Sequence, residues 1–236
     1  MGYGVALAED VKSGIDLVLA PPWTVRDGLV VPETKDVTLK DGAILLDATY
    51  MYADMADSTG LAQSYDNKMV AKVIRCYLNA ATRIIRARGG AIRSFDGDRV
   101  MGIFIGDSKN TTAAKTALNI SWAVLKVINP KLKEKWPSLD WTMNHGIGVD
   151  TGKAMLVRGG VHGDNDIVSV GIAPNIAAKL SEERGWSSIC LSRAVHSRLN
   201  SDSKLHDGKD MWRRIGTKKY GRNNVTYYGT TYISKP

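Results

Sequence analysis

Apolar residues along the chain recur at two spacings, and the changes from one to the other mark out the elements. Val11, Ile15, Leu17, Val18 and Leu19 gather in residues 8–20, which predicts a short helix stopped by Pro21-Pro22. Residues 23–42 are polar and turn-rich and carry no assigned role. From Ala43 to Met55 the chain is dense in β-prone residues (Ile44, Leu45, Leu46, Tyr50, Met51, Tyr52), which predicts a central strand. In residues 66–88 the spacing becomes helical through Val70, Val73, Ile74, Tyr77, Leu78, Ala81, Ile84 and Ile85, and Gly89-Gly90 ends the run. Ala91–Phe104 reads as two short strands about a turn at Asp96-Gly97, with Asp98 on the bend. A second amphipathic helix is expected over 110–128, closed by Pro130.

The pattern from Trp141 to Val157 predicts another hairpin, turning at Asp150-Thr151-Gly152. A strand at Ile167–Val170 then leads into a helix from Pro174 to about Glu183, with Gly185 as its C-terminal cap. Strands at Ser188–Leu191 and Val225–Ile233 close the chain, with the basic run Arg213, Arg214, Lys218, Lys219 and Arg222 between them. Strand, helix, hairpin, helix, hairpin, helix, strands is the order of an α+β fold with a ferredoxin-like βαββαβ core. Residues 1–42 read as an N-terminal helix and extended lead-in, and 43–236 as one domain.

Composition narrows the function classes. The chain has 236 residues and a formal net charge of +8, which favours an anionic partner or serves solubility alone. Cys76 and Cys190 make neither a disulfide framework nor a zinc site, and both read as reduced core residues of a cytoplasmic protein. No apolar run is long enough to span a membrane. Aromatics are 7% of residues and do not interleave the basic run beyond Tyr220, which argues against nucleic acid.

The candidate chemistry sits at the end of the first core strand. Asp54 closes that strand, and Asp57, Ser58 and Thr59 offer helix N-cap chemistry. A carboxylate there can hold a hard cation, and free helix-start N–H groups can hold phosphate, although strand ends also carry Asp for turn reasons. In a βαββαβ sheet the first strand lies beside the hairpin, so Asp54 and Asp98 can share a pair of metal ions.

These residues carry a resemblance. Tyr52-Ala53-Asp54-Met55-Ala56-Asp57-Ser58-Thr59 is similar to the Phe-Ala-Asp-Ile-x-Gly-Ser-Thr segment of class III nucleotidyl cyclases. Phe95–Met101 is similar to the family's Gly-Asp-Gly-Val-Met, and His145–Gly152 to its Gly-Ile-His-Thr-Gly. Gly171–Leu180 is similar to Gly-Asp-x-Val-Asn-x-Ala-Ala-Arg-Leu. Four segments in order and spacing, from about residue 43 onward, make the resemblance specific.

The resemblance implies two divalent cations, Mn or Mg, held by Asp54, Asp98 and the backbone carbonyl of Met55. It implies phosphate contacts from Asp57, Ser58, Thr59 and Lys153; on charge alone, Lys218, Lys219 and Arg222 are further candidates. Asn175 matches the ribose-orienting residue. Lys179 stands where the family carries a transition-state Arg, keeping the charge but losing the planar fork. Family sites form between two chains, so one chain with both halves implies a homodimer with two identical sites.

The base-reading positions depart most. Ser94 stands where adenylate cyclases place Lys, and Val168 where they place Asp or Thr; the Glu and Cys of guanylate cyclases are missing too. Tyr50 shares a strand face with Tyr52 and Asp54, where it shrinks a base pocket or serves as a core aromatic. Arg99 replaces a small residue. A shrunken, recoded pocket resembles the pyrimidine cyclases of bacterial Pycsar antiphage systems. That resemblance implies UTP, or CTP next, as substrate and a cyclic nucleotide sensed by a separate effector. The rivals are a purine cyclase with unusual base contacts and a non-catalytic nucleotide-binding module.

Overall fold

Helix α1 (Gly2–Leu19) opens the chain in a computed structural model that describes residues 2–20 and 22–236. It begins well before the apolar cluster that predicts it, and Leu7, Val11, Ile15 and Val18 are all more than half exposed. There follow β1 (Thr24–Gly28), β2 (Gly42–Ala56), α2 (Ser58–Ser64), α3 (Asn67–Ala87), β3 (Ala91–Asp96) and β4 (Arg99–Phe104). Next come α4 (Lys109–Ala123), a π-helical turn (Val124–Ile128), α5 (Asn129–Lys135), β5 (Asn144–Val161), β6 (Asp164–Val170) and α6 (Ile172–Ser181). The chain closes with β7 (Ile189–Ser192), one-turn helices α7 (Arg193–His196) and α8 (Ser201–Lys204), two-residue strands β8 (Leu205–His206) and β9 (Lys209–Asp210), β10 (Arg213–Tyr220) and β11 (Asn223–Thr230).

Two compact units result. The smaller takes the chain through Leu46 together with Lys153–Gly171. In it β1 pairs in parallel with the start of β2, Thr24 opposite Gly42 through Gly28 opposite Leu46. The polar lead-in thus contains a strand that its sequence did not signal. Its burial pattern is almost wholly exposed, so it has no apolar alternation to read and is recruited by the backbone hydrogen bonds of β2. The later half of β5 pairs antiparallel with β6, Met155 opposite Val170 through Val161 opposite Asp164. The turn is His162-Gly163, with Gly163 at φ 96°. Thr34 Oγ1 donates to Asp166 Oδ1 at 3.0 Å within the same unit.

The larger unit spans Asp47–Gly152 and Ile172–Pro236. Its strands run in the order β10-β11-β7-β5-β2-β4-β3. With β4 between β2 and β3 and with β5 on the other side of β2, the βαββαβ order expected from the sequence is realised. One sheet face is covered by α3 and α4 over a core that includes Met51, Ala53, Met55, Val73, Ile85 and Ala117. Each large apolar side chain enclosed there contributes about 1.5–3 kcal/mol. Helix α3 starts where the Asp66 carboxylate accepts from the N–H groups of Lys68 and Met69. It ends in a Schellman motif: Gly90 N–H donates to Ile85 C=O, Gly89 N–H donates to Arg86 C=O, and Gly89 adopts φ 75°.

Five sequence expectations need correction in this unit. Pro130 does not close the second helix, because the chain widens into the π turn at 124–128 and continues as α5 with Pro130 in its first turn. A proline there needs no N–H partner, and the widened turn relieves its ring from the carbonyl four residues back. The expected turn at Asp150-Thr151-Gly152 is instead continuous strand. Its turn-forming side chains are engaged by neighbouring strands: Asp150 accepts from Ser192 Oγ, and Thr151 Oγ1 donates to Ala48 C=O at 3.2 Å. Helix α6 stops at Ser181, short of Gly185, in i→i+3 bonds from Glu182 and Glu183. The basic run, apart from Arg222 in the turn that follows, lies in β10, hairpinned to β11. Cys76 is exposed rather than in the core, whereas Cys190 is buried.

Gly146 and Gly148 let α6 lie directly on β5. A Cβ at Gly148 would be driven into the Ala177 carbonyl oxygen, and one at Gly146 into that of Ser181. Gly148→Ala is therefore expected to destabilise the fold by about 1–3 kcal/mol, read as a lower urea midpoint at unchanged m-value. A midpoint equal to that of the parent would contradict this packing.

Candidate functional site

The register of β2 and β4 builds the site. Tyr50 lies opposite Ile103, Tyr52 opposite Met101 and Asp54 opposite Arg99. By the two-residue period, Tyr50, Tyr52 and Asp54 share the sheet face opposite the helix-covered core, to which Met51, Ala53 and Met55 belong. The β3–β4 loop consists of Gly97 and Asp98, one residue later than the Asp-Gly pair suggests. Only Gly97 takes a positive φ, 59°, which fits a type II′ turn with glycine first. Met55 N–H donates to Asp98 C=O at 3.4 Å, so the bend is hydrogen-bonded to the end of β2.

Asp54 and Asp98 are thereby brought together. Burial raises the Asp54 carboxyl above its ordinary range, and the charge of Asp98 raises it further; Arg184 and Arg99 oppose that rise. Asp98 Oδ2 is buried without a hydrogen-bond partner. A carboxylate whose charged form is disfavoured by burial and by its neighbour, beside a second carboxylate with an unpaired buried oxygen, forms a donor set that suits a hard cation. Among the described residues no cluster of three or more His, Cys, Asp or Glu side chains is placed to hold a metal ion.

Arg184 was not legible in the sequence. Its Nη2 donates to Asp54 Oδ2 at 3.1 Å, and its Nη1 to the Ser181 carbonyl. It follows α6 in a charged stretch that reads as a solvated helix end, and nothing in that pattern points back 130 residues to Asp54. Arg184 also lines a cleft of about 700 Å³ with Asp57, Asn144, His145, Trp186 and Tyr232. That volume is within the range of small-molecule sites.

Asp57 does not cap α2 with its side chain. It takes a left-handed conformation, φ 61°, at the position where the class III pattern carries glycine. Its carboxylate folds over Gly60, where a Cβ would strike it. Ser58 and Thr59 are the first residues of the helix, not caps.

Asn175 and Lys179 are both exposed and lie one turn apart on α6. Lys179 Nζ pairs with Glu182 Oε2 at 3.0 Å, while Glu182 Oε1 accepts from Arg99 at 3.4 Å. Arg99 also pairs with Asp96 at 2.8 Å and lies 5.5 Å above the Tyr52 ring. Lys218 is held by Glu183 at 2.6 Å. Tyr50 is fully buried, which pushes its phenol pKa up. Ser94 is half-buried opposite Met101, just past a bulge at Arg93. Lys153 and Val168 belong to the smaller unit, where Lys153 is exposed and Val168 lies opposite Val157 on β6. No described helix is long and apolar enough to cross a membrane.

No family model matches the chain. A uridylate cyclase of Rhodovulum sp. strain MB263 is 39% identical over 238 residues, covering 98% of this chain and 99% of that protein. A uridylate cyclase of Xanthomonas perforans is 37% identical over 211 residues, covering 89% of this chain and 90% of that protein. Among solved structures, the adenylyl cyclase CyaB of P. aeruginosa superposes with a TM-score of 0.70 over 81% of this chain and 97% of that one. At 18% identity this likeness concerns the fold.

Behind the site, His145 Nε2 meets Ser121 Oγ at 2.8 Å in a buried contact. Burial, with the charge of Arg184, depresses His145 from 6.5 to about 4. Between those values the unfolded chain binds a proton that the folded chain refuses. Stability is therefore expected to fall as pH drops from 6.5 toward 4, at up to about 1.4 kcal/mol per pH unit. His145→Gln should flatten that slope in urea unfolding from pH 7 to 4.5; His196, also depressed, acts alike in both proteins. Identical slopes would contradict a neutral buried His145.

Proposed function

The chain belongs to the uridylate cyclase family, and on that premise we propose that it converts a pyrimidine nucleoside triphosphate to its 3′,5′-cyclic monophosphate. UTP is the first candidate and CTP the next. The observation that carries the reading is the juxtaposition of Asp54 with Asp98, whose buried Oδ2 has no partner.

Asp54, Asp98 and the Met55 carbonyl would hold two divalent cations, Mn or Mg. Such ions, when bound, supply Lewis acidity for the ribose hydroxyl and neutralise triphosphate charge. Asn175 orients the ribose so that O3′ lies in line with the α-phosphorus. The bond from O3′ to the α-phosphorus forms as the α–β bridging bond breaks. The hydroxyl proton passes to solvent, and pyrophosphate leaves. Lys179 offsets charge on the reacting phosphate once it leaves Glu182, an exposed pairing of small strength. Backbone N–H groups from Asp57 to Thr59, with Lys153, hold the remaining phosphates, and Lys218, Lys219 and Arg222 add basic charge. Base choice falls to Ser94 and Val168, while Tyr50, fully buried, serves as a core aromatic rather than a pocket wall. Val168 offers no polar group and Ser94 is short, so a purine edge there would leave polar atoms unpaired at about 1–3 kcal/mol each. The active unit is a homodimer in which each site takes Asp54 and Asp98 from one chain and Asn175 and Lys179 from the other. The product is a signal for a separate effector.

Incubation of the protein with each of the four ribonucleoside triphosphates and Mn²⁺, with products resolved by mass, is expected to give cyclic UMP or cyclic CMP in excess. Equal production of cyclic AMP or cyclic GMP would overturn the pyrimidine assignment. Asp54→Ala is expected to lower turnover by about 100-fold or more, since even outer-shell partners of metal ligands cost 10–100-fold. Asp98→Ala mixed with Asn175→Ala is expected to regain activity, because one composite site per mixed dimer stays intact. Absence of recovery, with subunit exchange demonstrated, would refute the shared site.

A further inference from the structure

Tyr77 lies in the middle of the buried stripe of α3, four residues from Val73 and from Ala81, and is fully enclosed. Its ring belongs to the core that also holds Met55, the residue after Asp54, and Val100, two residues past Asp98. A phenylalanine would satisfy that packing. The hydroxyl is instead buried without a hydrogen-bond partner, a state that costs about 1–3 kcal/mol. Burial raises the Tyr77 phenol well above its ordinary range, and the charges of Asp54 and Asp98 add to the rise while Arg184 opposes it. The hydroxyl therefore sits within the field of both carboxylates and keeps its proton. One of those carboxylates, Asp98, has its own buried oxygen unpartnered. An unsatisfied donor and an unsatisfied acceptor belong to one neighbourhood.

We propose that Tyr77 is a positioning residue of the two-carboxylate site, its hydroxyl donating to Asp98 through one water and so fixing which carboxylate oxygen faces a bound cation. This rests on reading Asp54 and Asp98 as cation ligands. Outer partners of this kind set the orientation of a ligand, and their loss weakens metal binding without touching the metal. Tyr77 reaches the site from the helix layer, across the strand from the face that Asp54 shares with Tyr50 and Tyr52.

The test titrates Mn²⁺ alone into the parent protein, Tyr77→Phe and Asp54→Asn, following free Mn²⁺ by electron paramagnetic resonance. Thermal unfolding without metal runs in parallel. Tyr77→Phe keeps the ring and removes one oxygen. Its metal-free melting temperature is expected to equal or exceed the parent's, while its Mn²⁺ affinity falls about tenfold or more. Mn²⁺ affinity within twofold of the parent, with binding lost in Asp54→Asn, would overturn the role of Tyr77 and leave the carboxylate site standing. No Mn²⁺ binding by the parent, or binding unchanged in Asp54→Asn, would overturn the site and this inference together. Tyr77→Leu gives an independent arm: if the ring serves packing alone, Leu lowers the melting temperature while Phe is silent in both measurements, and the proposal falls.

Discussion

Two carboxylates held close in a half-buried place are the constraint from which the rest of this structure follows. Water would separate Asp54 and Asp98 at once. The fold keeps them together by covalent and backbone means: strand register places Asp54 against Arg99, and the Met55 N–H is bonded to the Asp98 carbonyl. The energetic signature is the raised Asp54 carboxyl. A site that costs stability in the bare chain gives it back when positive charge arrives, which makes mutual repulsion a source of affinity rather than a flaw. In the structure that positive charge is supplied by Arg184, at 3.1 Å from Asp54. Any cation that binds Asp54 must therefore compete with a guanidinium.

The second element of the site reaches its place through absence of side chains. Gly146 and Gly148 remove two Cβ atoms from β5, and α6 takes up that space with its own backbone. This close contact sets the height of α6 above the sheet, and thus the position of Asn175 and Lys179. Both side chains are exposed.

Much of this was legible from periodicity. The β2, α3, β3, β4 succession and the neighbourhood of Asp54 and Asp98 follow from spacing and sheet topology, because a buried element must show its face in its sequence. What escaped has physical reasons. β1 has no buried face. The apparent turn at Asp150-Thr151-Gly152 was misplaced because turn-type side chains can be satisfied across a sheet, as Ser192 and Ala48 do for Asp150 and Thr151. Pro130 misled because a π turn upstream makes room for it. Arg184 and Glu182 act across the fold on exposed termini where no pattern constrains them. Tyr77 was read as an apolar stripe residue, which is true of its ring and silent about its oxygen.

Two departures from the class III pattern are connected through one carboxylate. Lys replaces Arg at 179, and Arg99 replaces a small residue after Asp98. Glu182 binds both, with Oε2 toward Lys179 and Oε1 toward Arg99. A guanidinium at 179 would present a fork that matches both oxygens of a carboxylate and would compete with Arg99 for Glu182. A lysine needs only one oxygen, so the two cations can coexist. Arg99 is the less exposed member and is further held by Asp96 and by the face of Tyr52, so it is the more constrained of the two cations. The Lys179–Glu182 pairing is exposed and weak, and the loss of the planar fork goes with placing an arginine beside Asp98.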